Sequence, residues 1–207
     1  EGIEGSGKST VARRIAGILV GEGYDVLETR EPGGTETSED IRTILLDPSR
    51  GDMSPRAELL LYEAARAQLV GEVIRPALEQ GRLVLCDRFM DASTAYQGWA
   101  RGLGEELVEK LNAFAVGGTI PDLTVLFDLP VETGFSRGPD RREADGVRSR
   151  DRLELEARDF HERVREGYVR AAERHPERFL TTDASRPLEE VVEDVARNIR
   201  SRLGVQP

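Results

Sequence analysis

Lysine is almost absent from this sequence. Of its 29 basic residues only two are lysines, Lys8 and Lys110, and the others are all arginines. Arginine presents a planar, forked cation, whereas lysine presents a compact ammonium group, so the two are not interchangeable in a confined site. The lysine at position 8 therefore indicates a place where a compact positive charge is needed.

Cysteine is equally scarce, since the chain holds only Cys86. A single cysteine excludes an intramolecular disulfide framework and predicts a reducing, cytoplasmic location. Because Cys86 lies in the apolar run LVLC, we expect a small buried side chain there. No apolar run reaches the roughly 18 residues of a membrane helix and no signal peptide is visible, so we expect neither membrane association nor secretion.

The sequence also lacks an excess of positive charge. Its net charge is −10, which disfavours a nucleic-acid-binding protein because such a protein needs a basic face. Small phosphorylated ligands remain compatible with this charge, since a few local arginines suffice to hold them. At 207 residues the chain suits one domain, residues 1–207, with a core large enough to fold unaided.

The opening residues EGIEGSGKST contain a phosphate-binding motif. Gly2, Gly7, Lys8 and Ser9 match the spacing G-x-x-x-x-G-K-[ST] of a P-loop. Glycines let consecutive backbone N–H groups face one anion, and the following helix adds its positive end. Lys8 is predicted to reach the β- and γ-phosphates of ATP, and the Ser9 hydroxyl to ligate Mg²⁺. The residues predicted to bind ATP are Gly2, Glu4, Gly5, Ser6, Gly7, Lys8, Ser9 and Thr10.

The alternative interpretation of this stretch is a glycine-rich turn before an ordinary helix. The segment 11–28 favours the P-loop, because it has helical spacing followed by a turn and a strand. A strand should precede the loop, yet only Glu1 stands before Gly2. We therefore expect the first strand to be truncated in this sequence.

Strand and helix patterns alternate along the rest of the chain. Strands are predicted at 24–30, 82–89, 121–130 and 178–183, and helices at 35–47, 54–81, from about 92, at 104–116, 148–175 and 187–203. Apolar strands that alternate with helices predict an α/β fold, a P-loop NTPase-type parallel sheet with helices on both faces. The irregular, arginine-rich stretch at about 137–152 is predicted to be a mobile lid over the phosphate site.

Polar residues follow two of the predicted strands. Ligands of open parallel sheets bind beyond the carboxyl ends of the strands, so Arg30, Glu31, Asp87 and Arg88 should converge on the P-loop. Asp87 is then placed to organise Mg²⁺, and Arg88 to bind a phosphate with two hydrogen bonds. Taken alone, the Asp87–Arg88 pair is better explained as a local salt bridge.

Several stretches together resemble bacterial thymidylate kinase. They are EGIEGSGKST, REPGGT, LLLYEAARAQLV, DRFMDASTAYQG and HERVREGY, and the resemblance runs through nearly the whole chain. It implies transfer of the γ-phosphoryl group of ATP to dTMP, with Mg²⁺ as cofactor, in the synthesis of dTTP. It also implies a homodimer.

The resemblance implies a role for each residue of the dTMP site. Glu4 would contact the 3′-hydroxyl, Tyr62 would stack on thymine where the family usually has phenylalanine, and Arg66 would hydrogen-bond the base. The dTMP-binding set implied in this way is Glu4, Glu31, Arg42, Tyr62, Arg66, Arg88, Ser93, Tyr96 and Gln97. Within it Arg42 and Arg88 would hold the monophosphate. Ser93 and Gln97 would read the base edge, and Tyr96 would crowd the 2′ position.

A catalytic arginine is expected from the lid. Some members of the family carry an arginine in the P-loop at the position that Gly5 occupies here. In the other subgroup the lid supplies it, and this lid offers Arg137, Arg141, Arg142, Arg148, Arg150 and Arg152. The predicted catalytic residues are Lys8, Asp87, Arg88, Arg148 and Arg152.

Two alternative functions stay open at this point. One is another nucleoside-monophosphate or small-metabolite P-loop kinase, and the other is a regulatory P-loop switch, for which no N-K-x-D signature exists. Other residues carry structural expectations. His161 and His175 are predicted on a solvated surface, and Trp99, Phe114 and Phe127 in the core.

Overall fold

The structure is a computed structural model that describes residues 1–137 and 151–204. Most of the predicted lid, with Arg141, Arg142, Arg148 and Arg150, lies outside the described residues.

Helices and strands alternate in the described residues. The helices are α1 (Lys8–Gly21), α2 (Glu36–Leu46), α3 (Pro55–Leu69), α4 (Arg75–Glu79), α5 (Met90–Ser93), α6 (Glu105–Val116), α7 (Val131–Arg137), α8 (Arg158–Arg174) and α9 (Leu188–Arg202). The strands are β1 (Val26–Arg30), β2 (Leu83–Asp87), β3 (Thr124–Asp128) and β4 (Phe179–Asp183). The 3₁₀ turn Pro48–Arg50 follows α2, and π-helical turns at Val70–Ile74 and Thr94–Ala100 continue α3 and α5.

Local sequence signals explain where several helices begin. Thr35 caps α2 by accepting a hydrogen bond from the Ser38 backbone N–H, and Ser54 caps α3 in the same way. Pro55 occupies the first turn of α3, where its missing N–H costs nothing. The predicted helix 54–81 is thus observed as α3, a π-helical turn and α4 in succession.

The strands pair in parallel, as predicted. β1 pairs with β2 so that Arg30 is the partner of Asp87, and β3 pairs with β4 so that Asp128 is the partner of Asp183. The Glu1 backbone pairs with β3, since its amino group donates to the Val125 carbonyl at 2.8 Å. The described strands thus form two two-stranded parallel sheets with helices against them, which agrees with the predicted P-loop NTPase-type α/β fold. The P-loop lies at the carboxyl ends of the strands, where Ser9 meets Asp87.

The main core joins the P-loop helix to the helices that follow the third and fourth strands. Leu19, Leu126 and Val164 are among its fully buried members. Phe127 is buried as predicted, whereas Phe114 is 87 % exposed on α6, so the prediction of core packing is wrong for Phe114. Trp99 is half-buried beneath the guanidinium of Arg170.

Two further predictions can be compared with the described residues. Within the predicted helix 148–175 the described residues 151–157 are not helical, and α8 starts at Arg158. Among the helices described, none is long and apolar enough to cross a membrane.

Candidate active site

The P-loop is shaped by glycines at left-handed backbone angles. Gly5 has φ 73° and Gly7 has φ 86°, a region that other residues avoid. The loop leads directly into α1, which starts at Lys8. The Lys8 ammonium donates to the Ile3 carbonyl at 2.8 Å and lies 3.5 Å from the Ser6 hydroxyl oxygen. The lysine is thus folded back over the loop, beside the positive end of a helix.

Lys8 is held in a poorly solvated place. Burial and the charge of Arg88 lower the pKa of Lys8 to about 8, although Asp87 and Glu4 oppose this effect. An ammonium group with a depressed pKa is one whose positive charge is incompletely compensated by the protein. Such a group gains most from an anionic ligand, and phosphate oxygens meet that need.

Ser9 and Asp87 meet although they are 78 residues apart. The Ser9 hydroxyl donates to a carboxylate oxygen of Asp87 at 2.5 Å. Burial opposes ionisation of Asp87, but the Ser9 hydrogen bond and the charges of Lys8 and Arg88 outweigh it and lower the pKa of the carboxyl. A hydroxyl and a carboxylate are hard oxygen ligands that suit Mg²⁺.

The donor set fits a metal that is shared with a substrate. In the described residues no cluster of three or more His, Cys, Asp or Glu could hold a metal by itself. Mg²⁺ commonly takes one or two protein oxygens and completes its shell with waters and substrate phosphates. Ser9 and Asp87 match that pattern.

Arg88 adopts a strained backbone conformation. Its φ is +68°, a left-handed value that costs a non-glycine residue about 1–2 kcal/mol. The guanidinium donates to the Tyr168 hydroxyl at 2.9 Å and lies 5.2 Å from the centre of the Tyr96 ring. Contacts with Tyr168 and Tyr96 thus hold the guanidinium of Arg88 in place, and Arg88 lines the same cleft as Lys8.

Lys8, Ser9, Asp87 and Arg88 lie on the wall of a cleft of about 880 Å³. The predicted residues that line it are Glu4, Gly5, Gly7, Lys8, Ser9, Thr10, Glu31, Arg42, Tyr62, Asp87, Arg88, Ser93, Tyr96 and Gln97. Arg13 and Arg137 also line it, and Arg137 donates to the carbonyls of Ala184 and Ser185. The structure therefore brings most of the residues predicted for phosphate, sugar and base to one cleft, whereas Gly2, Ser6 and Arg66 are not among the residues that line it.

Arg66 lies behind the cleft wall rather than in it. It is 1 % exposed, and each of its nitrogens contacts an acceptor. The partners are Glu31 at 2.9 Å, Asn112 at 2.8 Å, the Phe89 carbonyl at 3.2 Å, Ser93 at 3.1 Å and Glu63 at 3.0 Å. In this arrangement the N–H groups of Arg66 face protein acceptors, so the predicted hydrogen bond from Arg66 to a base stays a prediction.

Glu31 and Glu63 share one cation, the guanidinium of Arg66. Burial raises the pKa of Glu31 to about 7, against the opposing charge of Arg66. The charge of Arg66 does not fully offset the effect of burial on the pKa of Glu31, because Arg66 also forms an ion pair with Glu63. One oxygen of Glu31 is buried without a hydrogen-bond partner among the described residues, and Glu31 lines the cleft.

Arg152 lies outside the lining of the cleft. Its guanidinium is 4 % exposed, contacts Glu58 at 2.7 Å and donates to the Leu45 carbonyl at 2.9 Å. It ties the chain after residue 150 to α2 and α3. The other leading candidate for a catalytic arginine, Arg148, lies outside the described residues.

His161 is a cleft residue that the sequence did not predict. It was expected on a solvated surface, but it is 3 % exposed and lines the cleft, so that prediction is wrong. Its ring meets Phe135 and Phe160 edge-on, and neither ring nitrogen has a hydrogen-bond partner among the described residues. Burial lowers the pKa of His161, which keeps the ring neutral. The only signal in the sequence was the adjacent Phe160, because Phe135 meets His161 only through the fold.

Comparison with known proteins decides the family. The family model described as thymidylate kinase matches residues 1–195. The chain belongs to the thymidylate kinase family. It is 52 % identical over 204 residues to thymidylate kinase of Nitratidesulfovibrio vulgaris, which covers 98 % of this chain and 95 % of that protein.

Other similar proteins support membership of the same family. Thymidylate kinase of Geobacillus thermodenitrificans is 49 % identical over 203 residues, covering 98 % of this chain and 88 % of that protein. The crystal structure of thymidylate kinase from Ehrlichia chaffeensis matches with a TM-score of 0.75 at 30 % identity, over 97 % of this chain and 95 % of that chain.

Proposed function

We propose that this member of the thymidylate kinase family transfers the γ-phosphoryl group of ATP to dTMP, giving dTDP and ADP. The observation that carries the proposal is one cleft that joins a P-loop lysine to a set of side chains suited to a pyrimidine nucleotide. Phosphoryl transfer depends mainly on positioning and charge neutralisation, and a shared cleft provides both.

The donor side of the cleft is the P-loop. Lys8 binds the β- and γ-phosphates, and the amides at the start of α1 hold the remaining oxygens. Ser9 and Asp87 would hold Mg²⁺, which would neutralise phosphate charge when bound. The hydrogen bond between these two side chains supports this assignment, because it already aligns two oxygen ligands.

The acceptor side lies across the cleft. Arg88 and Arg42 bind the monophosphate, and Arg42 is positioned by donating to the Pro32 carbonyl at 2.8 Å. Tyr62 stacks on the base, and burial raises the pKa of its hydroxyl, so the ring stays neutral. Glu4 and Tyr96, which line the cleft, would face the sugar.

The charge that develops on the transferred group requires a further cation. The P-loop has none besides Lys8, because position 5 is glycine. We assign this role to the arginine-rich segment 137–152, with Arg148 as its leading candidate. Arg152, which is bound to Glu58, supports that segment at its carboxyl end.

We also propose a homodimer in the cytoplasm. Leu60 on α3 and Leu107 and Phe114 on α6 are exposed apolar side chains on helices that pack together. Phe114 at 87 % exposure is the most accessible of them. Light scattering should give twice the chain mass for the parent protein and the chain mass for Phe114→Arg. A parent monomer would contradict the proposal.

The activity is tested by coupled assay of ADP release. We expect turnover with dTMP, much weaker turnover with purine monophosphates, and none with Lys8→Met. If the folded parent protein phosphorylates another monophosphate better than dTMP by kcat/KM, the alternative, a different nucleoside-monophosphate kinase, replaces this proposal.

A further inference from the structure

The Glu1 side chain joins two distant parts of the chain. Its Oε1 accepts a hydrogen bond from the Phe89 backbone N–H at 2.6 Å, and its Oε2 accepts from the Tyr168 hydroxyl at 2.9 Å. Phe89 directly follows Arg88 in the chain, and Tyr168 lies on α8. Neither Glu1 nor Tyr168 is among the residues that line the cleft. One carboxylate behind the cleft wall therefore contacts both the backbone next to Arg88 and the phenol to which Arg88 donates.

The hydrogen bonds that lead from Arg88 to Glu1 have a defined direction. A guanidinium only donates, so the Tyr168 oxygen accepts from Arg88 Nη1 at 2.9 Å. The Tyr168 proton is then directed at Glu1, because a carboxylate only accepts. Burial and the negative charge of Glu1 raise the pKa of Tyr168, which keeps this proton on the phenol. Glu1 thus satisfies the Tyr168 O–H and leaves the Tyr168 oxygen as an acceptor for Arg88.

The peptide bond that follows Arg88 is held at both of its polar groups. The Cys86 thiol donates to the Arg88 carbonyl oxygen at 3.0 Å, and the Phe89 N–H of the same peptide donates to Glu1. This peptide follows a residue whose φ of +68° lies in the left-handed region, which side chains other than glycine seldom adopt. The carboxylate that orients the Arg88 side chain through Tyr168 therefore also holds the strained backbone from which that side chain projects.

We propose that Glu1 and Tyr168 are positioning residues that hold Arg88 ready for the phosphate of the acceptor nucleotide. Glu1 fixes the backbone turn through Phe89, and it fixes the guanidinium through Tyr168. A guanidinium has five N–H groups and the contact with Tyr168 uses one of them, which leaves a pair for two phosphate oxygens. Neither positioning residue has to touch the nucleotide. The inference rests on the proposed function, in which Arg88 binds the monophosphate of dTMP.

The substitution Tyr168→Phe removes one oxygen atom and keeps a ring that is 1 % exposed. Arg88 then loses the acceptor that orients its guanidinium. Calorimetry compares the binding of dTMP with that of thymidine, which has the same base and sugar but no phosphate. We expect dTMP affinity to fall about 10-fold, as on losing one hydrogen bond to a charged group, and thymidine affinity to stay within about two-fold. Equal losses for both ligands in a folded variant would indicate general damage and overturn the proposal.

A double-mutant cycle shows whether Tyr168 acts through Arg88. Arg88→Met keeps an extended side chain but removes its charge and its donors. If Tyr168 only positions Arg88, adding Tyr168→Phe to Arg88→Met should not weaken dTMP binding further. Additive losses would mean that Tyr168 acts independently of Arg88, which overturns the proposal. The matched control is Tyr24→Phe, the same change at a half-buried tyrosine that is not among the cleft residues, and it should bind both ligands as the parent does.

Glu1→Gln tests the carboxylate itself, and it replaces Tyr168→Phe if circular dichroism shows that Tyr168→Phe does not fold. A glutamine of the same shape can accept from only one of the two donors through its carbonyl oxygen, since its NH₂ faces the other. The affinity for dTMP relative to thymidine should therefore fall here too. A parental ratio of the two affinities in folded Glu1→Gln overturns the proposal. If instead the parent protein does not bind dTMP, the proposed function fails, whereas dTMP binding with a ratio that neither variant changes overturns this inference alone.

Discussion

Gly5 and Gly134 bring two backbones into direct contact. A Cβ on Gly5 would lie 2.1 Å from the carbonyl oxygen of Gly134, and a Cβ on Gly134 would lie 2.5 Å from the carbonyl oxygen of Glu4. α7 therefore packs on the P-loop itself. No side chain fits at position 5 without displacing backbone, which gives a physical reason why an arginine is not found there.

Gly5→Ala should lower both stability and turnover. The left-handed φ of 73° costs an alanine about 1 kcal/mol, and the clash with backbone has to be relieved by moving the P-loop. The matched control is Gly23→Ala, which has φ 93° but no atom within 4 Å of the new Cβ. Thermal unfolding and steady-state kinetics compare the two. Equal kcat in both variants would show that the Gly134 contact is unimportant.

ATP binding should take up protons at alkaline pH. Because the pKa of Lys8 is about 8 in the free protein, the side chain is mostly neutral at pH 9, and bound phosphates would restore its charge. Calorimetry at pH 9 in two buffers of different ionisation enthalpy should give uptake approaching about one proton per ATP. Lys8→Met should show none. Equal uptake by both proteins would assign the proton to another group.

The same pKa predicts how Lys8 affects stability. A lysine whose folded-state pKa lies below its ordinary 10.5 holds fewer protons in the folded state than in the unfolded state between about pH 8 and 10.5. Its contribution to the unfolding free energy therefore rises with pH through that window. Below pH 8 the charged, partly buried lysine lowers the free energy of unfolding. Lys8→Met should consequently be no less stable than the parent at pH 7.

Arg148 and Arg152 should respond differently to alanine. Arg148→Ala should lower kcat by about 10³-fold or more, as expected for an arginine that stabilises the transferred group, and should change the KM for dTMP little. Arg152→Ala leaves a buried carboxylate with one partner fewer and should cost about 3 kcal/mol of unfolding free energy.

The control for this pair is Arg158→Ala, which removes exposed ion pairs with Glu132 and Glu162 and should leave the free energy of unfolding almost unchanged, because solvent screens such pairs. Urea unfolding and steady-state kinetics on all three variants separate the roles. A stable Arg152→Ala protein with a kcat as low as that of Arg148→Ala would transfer the catalytic assignment to Arg152.

His161 should make the protein sensitive to mild acid. Its folded-state pKa lies below the ordinary 6.5, so the unfolded state binds more protons and the unfolding free energy falls as pH drops below 6.5. His161→Phe keeps the aromatic packing with Phe135 and Phe160 and removes the titration. The loss of melting temperature between pH 7.5 and 5.5 should be smaller in this variant. An unchanged loss would exclude His161 as the cause.

Much of the site can be predicted from local sequence. The spacing of Gly2, Gly7, Lys8 and Ser9 requires a loop that faces an anion, and Ser54 with Pro55 predicts the start of α3. Alternating apolar strands and helices predict a parallel sheet, and parallel strands gather their carboxyl-end residues at one edge. Each of these inferences depends on neighbours within a few residues.

Tertiary structure decided the rest, because the partners are far apart in sequence. In the sequence Glu58 is one of several acidic residues on a predicted helix. The fold brings Gln97, 39 residues away, and two arginines into contact with it. His161 sits in a charged helical stretch, and only the packing of α8 removes it from water. Periodicity reports which face of a helix is apolar. Which polar side chains are buried depends on the partners that the fold brings together.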